Sequence, residues 1–391
     1  MINETALKQA FQIDYGVDIS PRIFYSHGMV ELFGNYTSKN NGKAIVAAAN
    51  LGVMGYAAPF EDIVKIHRVG CEEIEINISD IEVKEEEKGT QISLIKGILQ
   101  AAKAKGYEIG GFVLEIDDDI HAASGTCFLA AFELLIVKIL SAFYNEDAIV
   151  NYEMALIAHD GETRYFRPGN SSLTHMACAH GGFNLIDFEN PERPVVKPLE
   201  WNNALKLVLV DAGNNNFKVG SLVDKVNEDL KTVSENVFGK KTLREVERKD
   251  VNVILSRYVP GISEDMKLRA QHYFGELDRI EMVERALVRG DDNDLLTNFK
   301  LSGLSMRSYL KVGMVGENYF GSPAEAMDKA AMCIGNGAFK IHRDGFTGSI
   351  ICLVYPKDYS NFRLTMSERF GDKAIVVLKV PTWGPVELKE N

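Results

Sequence analysis

Apolar residues recur along this chain at two different spacings, and each change of spacing marks the edge of an element. Glu4 to Tyr15 reads as a helix. Ile23 to Phe33 and Lys43 to Ala58 follow, where small and β-branched residues replace helix formers and predict strands. Glu73 to Val83 alternates apolar with acidic or polar residues, the period of two of a half-buried strand, and EVKEEEKG at 82–89 then reads as a solvated turn. Ser93 to Lys105 returns to helical spacing and stops at Gly106. Gly111 to Ile116 predicts a short strand, Asp117 to Gly125 a loop and Thr126 to Tyr144 a long helix. A strand, loop and helix in that order are where anion sites are often built.

Asn151 to His159 and Phe183 to Phe188 read as further strands, and the Pro-rich ENPERPVVKPLEW at 189–201 as a linker. That linker divides the chain into an N-terminal lobe, 1–200, and a C-terminal lobe, 201–391. The second lobe opens with a strand at Ala204 to Asp211 and a helix at Val219 to Val237. Two charged amphipathic helices, Glu264 to Val288 and Asp292 to Leu301, carry opposite charges four residues apart and read as scaffold. Ser349 to Tyr355 and Ala374 to Val380 are strands near the end, so the chain is expected to be an α+β protein of mixed layers, without internal repeats.

Length supports the two-lobed reading, since 391 residues exceed what one core usually holds. The formal charge of −12, with no basic cluster longer than Lys240 and Lys241, argues against a nucleic-acid partner. The longest apolar run, Cys127 to Phe143, is interrupted by Glu133 and Lys138 and predicts a buried core helix, not a membrane span. The N-terminal segment has no basic stretch followed by an apolar run. Five cysteines, at 71, 127, 178, 333 and 352, have neither even number nor paired spacing, which points to a reducing, cytoplasmic setting.

Four segments carry candidate chemistry. Residues 26–49 place Asn35, Tyr36, Thr37, Ser38 and Asn40 on a polar turn after an apolar strand, a turn able to bind sugar hydroxyls or simply to be solvated. In residues 116–133, Ser124, Gly125 and Thr126 open a helix and offer backbone N–H groups to a phosphate. Asp117, Asp118 and Asp119 oppose that use, because each unscreened like-charge pair at about 4 Å costs roughly 1 to 4 kcal/mol. With His121 these aspartates offer Mg²⁺ or Mn²⁺ a site, or else they cap the helix. In HMACAH, His175, Cys178 and His180 suggest a metal site that lacks a fourth ligand. Residues 340–356 are a Gly-containing turn before a strong apolar strand.

Taken together, and in this order, the segments resemble the galactokinases of the GHMP kinase superfamily. The family's first motif, approximately PGRVNLIGEHTDYNGG, lies without a gap over residues 27–42 and shares Gly28, Val30, Leu32, Gly34, Thr37, Asn40 and Gly42. Its phosphate loop, PIGAGLSSSASLEVA, lies over 117–131. Residues 269–287 are similar to its RARHVVTENxRV segment, and GxRMTGAGFGGC lies over AFKIHRDGFTGSIICLV, where Gly345, Phe346 and Gly348 survive. The resemblance implies a two-lobed GHMP-kinase-like fold with mixed sheets covered by helices and a cleft between lobes. It also implies ATP with Mg²⁺ as cofactors and phosphorylation of galactose at its C1 hydroxyl.

The departures fall on functional positions. Met29 stands at the family's catalytic arginine, and Asn35, Tyr36 and Ser38 stand where Glu, His and Asp grip the sugar. Two phosphate-loop glycines become Asp119 and His121, leaving Ser124, Gly125 and Thr126 as the cofactor-binding remnant. GNSSLTH at 169–175 replaces GIMDQ, so Ser172, or Ser171 with a one-residue slip, takes the place of the catalytic aspartate. Phosphoryl transfer depends on positioning, charge neutralisation and an orienting carboxylate, so these losses together imply impaired catalysis. Three readings stay open: a small-molecule-binding or regulatory homologue with a possible protein partner, an active ATP-dependent kinase on galactose or another sugar, and a metal-dependent site at Asp117 to His121.

Overall fold

The computed structural model describes residues 2–120, 125–213, 220–314, 318–346 and 348–389. His121 and Ser124 therefore lie outside the described residues. A helix, α1 (Glu4–Tyr15), leads into β1 (Arg22–Phe33) and the long β2 (Lys43–Pro59), then β3 (Ile63–Arg68) and β4 (Ile74–Asn77). After α2 (Gln91–Ala104) and β5 (Phe112–Asp118), three helices run consecutively: α3 (Phe128–Tyr144), α4 (Asn151–Tyr165) and α5 (Leu173–His180). β6 (Phe183–Asp187) and β7 (Val195–Leu199) complete this half. The second half comprises β8 (Lys206–Asp211), α6 (Gly220–Phe238), α7 (Val251–Leu255), α8 (Glu264–Arg289), α9 (Asp292–Ser305) and α10 (Pro323–Cys333). It ends in β9 (Ala338–Ile341), β10 (Ser349–Val354), α11 (Tyr359–Phe370), β11 (Ile375–Leu378) and β12 (Val386–Leu388).

Two sheets result. The larger runs β12-β1-β2-β5-β3-β4, with β6 and β7 added at the other end of β2. Strand β2 is long enough to serve two partners, pairing Lys43–Ala47 with β6 and Val53–Pro59 with β5. The smaller sheet is β11-β8-β10-β9. Its strands bury both faces: Leu207 and Leu209 of β8 join the core shared with the larger sheet, while Val208 and Val210 join a second core under α6, α8, α10 and α11. A period of two with both phases apolar produces this double burial.

Helices α2 to α5 cover one face of the larger sheet, and α1 covers part of the other by seating Leu7 and Phe11 on Ile23, Tyr56 and Val113. Segment 151–159, expected as a strand, is the first part of α4. Its buried positions, Met154, Ala155, Ile157, Ala158, Gly161 and Glu162, recur at the three-to-four spacing of a helix face, which the short apolar run MALIA conceals. Helices α2 and α4 pass close enough that a Cβ on Gly97 would lie 2.5 Å from the Gly161 carbonyl oxygen. The alternating segment 73–83 forms a strand only over Ile74–Asn77, and the expected linker contains β7, paired with β6. The apolar run 127–143 is α3, a buried core helix as expected, and no helix among the described residues is long and apolar enough to cross a membrane. All five cysteines are free.

Candidate functional site

The pairing of β1 with β2 is irregular at His27/Gly28 and again at Glu31/Phe33. At the first irregularity the segment before α3 crosses β1: the Met29 N–H donates to the Thr126 carbonyl at 3.1 Å, and a Cβ on Gly28 would lie 2.3 Å from that oxygen. Glycine is needed there for two backbones to touch. The Met29 side chain is fully buried in the core.

A cavity of about 440 Å³ opens beside this crossing, walled by the start of α3 from Gly125 to Leu129. Ile66, Ile74, Leu94 and Phe132 give it apolar lining, and Arg68, Arg167 and Arg343 bring three guanidinium groups to its wall. A smaller cavity of about 150 Å³ is lined by Glu31, Tyr36, Ser38, Ser171, Asn227 and Arg343, among others. Arg343 and Asp344 belong to both walls. Burial opposes the charge on Arg343, but Cys127, Glu31 and Asp344 outweigh it and hold the guanidinium firmly protonated. The Arg343 Nη1 lies 3.6 Å from the Glu31 carboxylate. Burial pushes the Glu31 pKa up, with Arg343 and Lys340 pulling the other way.

The polar turn divides its roles. Asn35 is fully buried and structural: its Nδ2 donates to the Arg343 carbonyl at 2.7 Å, and its Oδ1 accepts from the Lys340 amine at 2.6 Å. Tyr36 and Ser38 face the smaller cavity, the tyrosine hydroxyl donating to the Asp344 carbonyl at 2.8 Å and the Ser38 Oγ meeting the Ser171 Oγ at 2.9 Å. Ser172 is buried, and its Oγ finds no partner. Ser171, not Ser172, thus faces the cavity. Thr126 is buried, and Gly125 and Thr126 line the larger cavity.

The aspartates expected to repel a phosphate are turned to other work. The Asp119 Oδ1 accepts from the Gly52 N–H at 2.9 Å, the Asp117 Oδ1 from the Asp118 N–H at 2.9 Å, and Asp118 pairs with Arg68 at 2.5 Å. In HMACAH the three candidate ligands diverge around α5. The His180 Nδ1 bonds the Met176 carbonyl at 2.8 Å, Cys178 is buried in the core, and His175 contacts Glu133.

Sequence reasoning passed over the residues that lock this turn to the second half. Helix α8, read as scaffold, accepts the Gly34 N–H on Glu276 at 2.8 Å, places His272 Nε2 3.1 Å from the Asn35 carbonyl, and donates from the Tyr273 hydroxyl to the Asn40 carbonyl at 2.9 Å. The signal was the similarity of 269–287 to the RARHVVTENxRV segment, in which a His and a Glu four residues apart share one helix face.

Nearly the whole chain is matched by curated relatives. It is 26% identical over 387 residues to a galactokinase of Lactococcus lactis, spanning 94% of this chain and 92% of that protein, and 23% identical to a galactokinase of Limosilactobacillus reuteri over 90% of each. The chain is similar to these galactokinases over nearly its whole length. No family model matches it. Among solved structures, Lactococcus lactis galactokinase complexed with galactose superposes with a TM-score of 0.84 at 20% identity, covering 98% of this chain and 99% of that one. The mevalonate kinase of Methanococcus jannaschii superposes at 0.65 and 15% identity, over 93% and 99%. The fold is therefore the GHMP-kinase fold expected from the motifs.

Proposed function

We propose that this galactokinase-like chain binds a nucleoside triphosphate in the larger cavity and a small polyhydroxylated ligand, a hexose such as galactose, in the smaller one, and that its phosphoryl transfer is impaired. One observation carries the reading. A cleft of two adjoining cavities is kept while Met29 is sealed in the core and neutral Ser171 faces the place where an orienting carboxylate is needed. The larger cavity suits the nucleotide, since its apolar lining takes a base and its three arginines take phosphates. Mg²⁺ bound with the nucleotide would neutralise phosphate charge, and Asp344, on both walls, is the carboxylate placed to hold it. This reading takes residues 1–200 and 201–391 as the two lobes around the cleft, with β12 crossing back to β1. A regulatory role would then be read by a protein partner from whether the cleft is filled.

One feature favours a second reading, an active sugar kinase with rearranged residues. Arg343 and Asp344 bring a cation and a carboxylate to the junction of the cavities, and Glu31 adds a second carboxylate to the smaller one. A thermal-shift titration with MgATP, alone and with a hexose panel, tests the shared part of both readings. Nucleotide at 100 times its dissociation constant should stabilise the fold by about 2.7 kcal/mol. An absence of any shift with nucleotides overturns nucleotide binding. ADP release with a hexose that also shifts the melt would establish the second reading over the first.

A further inference from the structure

We propose that Glu133, His159, Glu162 and His175 form a buried site for one divalent transition-metal ion of the zinc type, within the helical layer behind the cleft. Glu133 comes from α3, His159 and Glu162 from one face of α4 three residues apart, and His175 from α5. One potential ligand atom each from His159, Glu162 and His175 lies within 4.8 Å of the other two. The His175 Nε2 is in contact with Glu133 and lies 3.7 Å from the Glu162 carboxylate. The imidazole rings of His159 and His175 are 5.5 Å apart. The side chains of Glu133, Glu162 and His175 are 0%, 5% and 1% exposed.

Two carboxylates and an imidazole so far from water, with a second, half-buried imidazole beside them, need a reason to be together. Without an ion, His175 has Glu133 as a neighbour, and the Glu133 Oε1, the His175 Nδ1 and the His159 Nδ1 are buried without partners. A dication at the centre cancels the carboxylate charges and uses imidazole lone pairs, in the mixed nitrogen and oxygen set that zinc accepts. Supporting contacts of the kind found around metal ligands are present, with the Asn170 Nδ2 donating to the Glu162 Oε1 at 2.9 Å. Asn170 also lines the smaller cavity, so an ion here would fix that wall. Neither the nucleotide nor the sugar reading is needed for this inference.

The test is cobalt and zinc titration of the full chain after chelator treatment, read by visible absorption, elemental analysis and thermal melting. The expected result is one ion per chain, an intense four-coordinate Co²⁺ spectrum and a melt raised by Zn²⁺, all lost in His159→Gln and retained in His67→Gln. The second variant controls for the other metal-capable cluster, Asp14, His67 and Glu115, which is more exposed. Because the His159 Nδ1 has no partner to lose, His159→Gln is expected to keep the fold, as circular dichroism will show. A weak, oxygen-type Co²⁺ spectrum or no stoichiometric metal in the unmodified chain overturns the proposal whatever the variant does. So does metal retained by His159→Gln and lost by His67→Gln.

Discussion

Lys340 shows what a single residue contributes when it is withdrawn from water with its partners supplied. Its amine donates to the Leu32 carbonyl at 2.8 Å and to the Asn35 Oδ1 and Ser302 Oγ at 2.6 Å, tying β9 to the polar turn and to α9. Burial lowers its pKa to about 8, so the lysine stays mostly charged near neutrality, with Glu276 and Glu31 supporting the charge. Replacing it by methionine fills the space but leaves three oxygens unpaired, and Lys340→Met should cost about 3 kcal/mol in a urea melt. His272 gives the neighbouring case in the opposite protonation state. Burial lowers its pKa to about 4, against 6.5 in the unfolded chain. Between those values the unfolded chain binds the extra proton, so the His272 contribution is complete above pH 6.5 and lost on acidification towards 4, by about 3 kcal/mol. The melting of His272→Gln should fall less steeply over this range than that of the unmodified chain. An equal slope would show that other groups set the acid limit. Periodicity and composition reveal neither role, because a lysine in a strand and a histidine in a charged helix look the same whether solvent or another element covers them; only the motif resemblance of 269–287 marked His272.

At the scale of elements, sequence was informative wherever one local period ran long. Residues 4–15, 22–33, 43–59 and 91–104 stand close to where apolar spacing put them. It failed at α4, where five apolar or small residues in a row satisfy a strand and a buried helix equally, and the deciding contact, Gly97 against Gly161, joins residues far apart in sequence. The cleft was legible in part, for a different reason. The motif resemblance located the turn and the loop, but not that Asn35 is locked inward while Tyr36 faces the cavity, since that depends on partners more than 300 positions away. The crossing of β1 with the segment before α3 is the element-level feature that shapes the larger cavity. Gly28→Ala should force that segment away from β1, because the new methyl would sit 2.3 Å from the Thr126 backbone oxygen with no flexible side chain to yield. We expect a loss of roughly 2 kcal/mol in stability, in line with overpacked sites. A larger proportional loss of nucleotide response in the thermal shift is expected as well. Unchanged stability would mean that the two backbones part easily and that the wall is not fixed by this contact.

Across the whole molecule, the two halves are joined by more than the segment near residue 200. The chain's last strand returns to β1, aligning Leu388 with Ile23, and the Arg22 guanidinium engages Glu387. One face of the smaller sheet shares the core of the larger one. The cavities lie along this seam and hold Arg343 in common, so whatever fills one changes the electrostatics of the other's wall. An anion in the larger cavity draws on the same guanidinium that faces Glu31 in the smaller. Such a shared charge predicts coupled binding, with hexose altering nucleotide affinity by a factor in the usual range of about 5 to 150, and nucleotide altering hexose affinity by the same factor. Calorimetric titrations of each ligand in the presence and absence of the other measure both factors. Arg343→Met should weaken nucleotide binding and bring the coupling factor towards unity, since the common charge is gone while the stem of the side chain remains. If the factor instead survives that substitution, the coupling does not run through Arg343 and is carried by Asp344, the other residue on both walls, or by movement of the two halves along the seam.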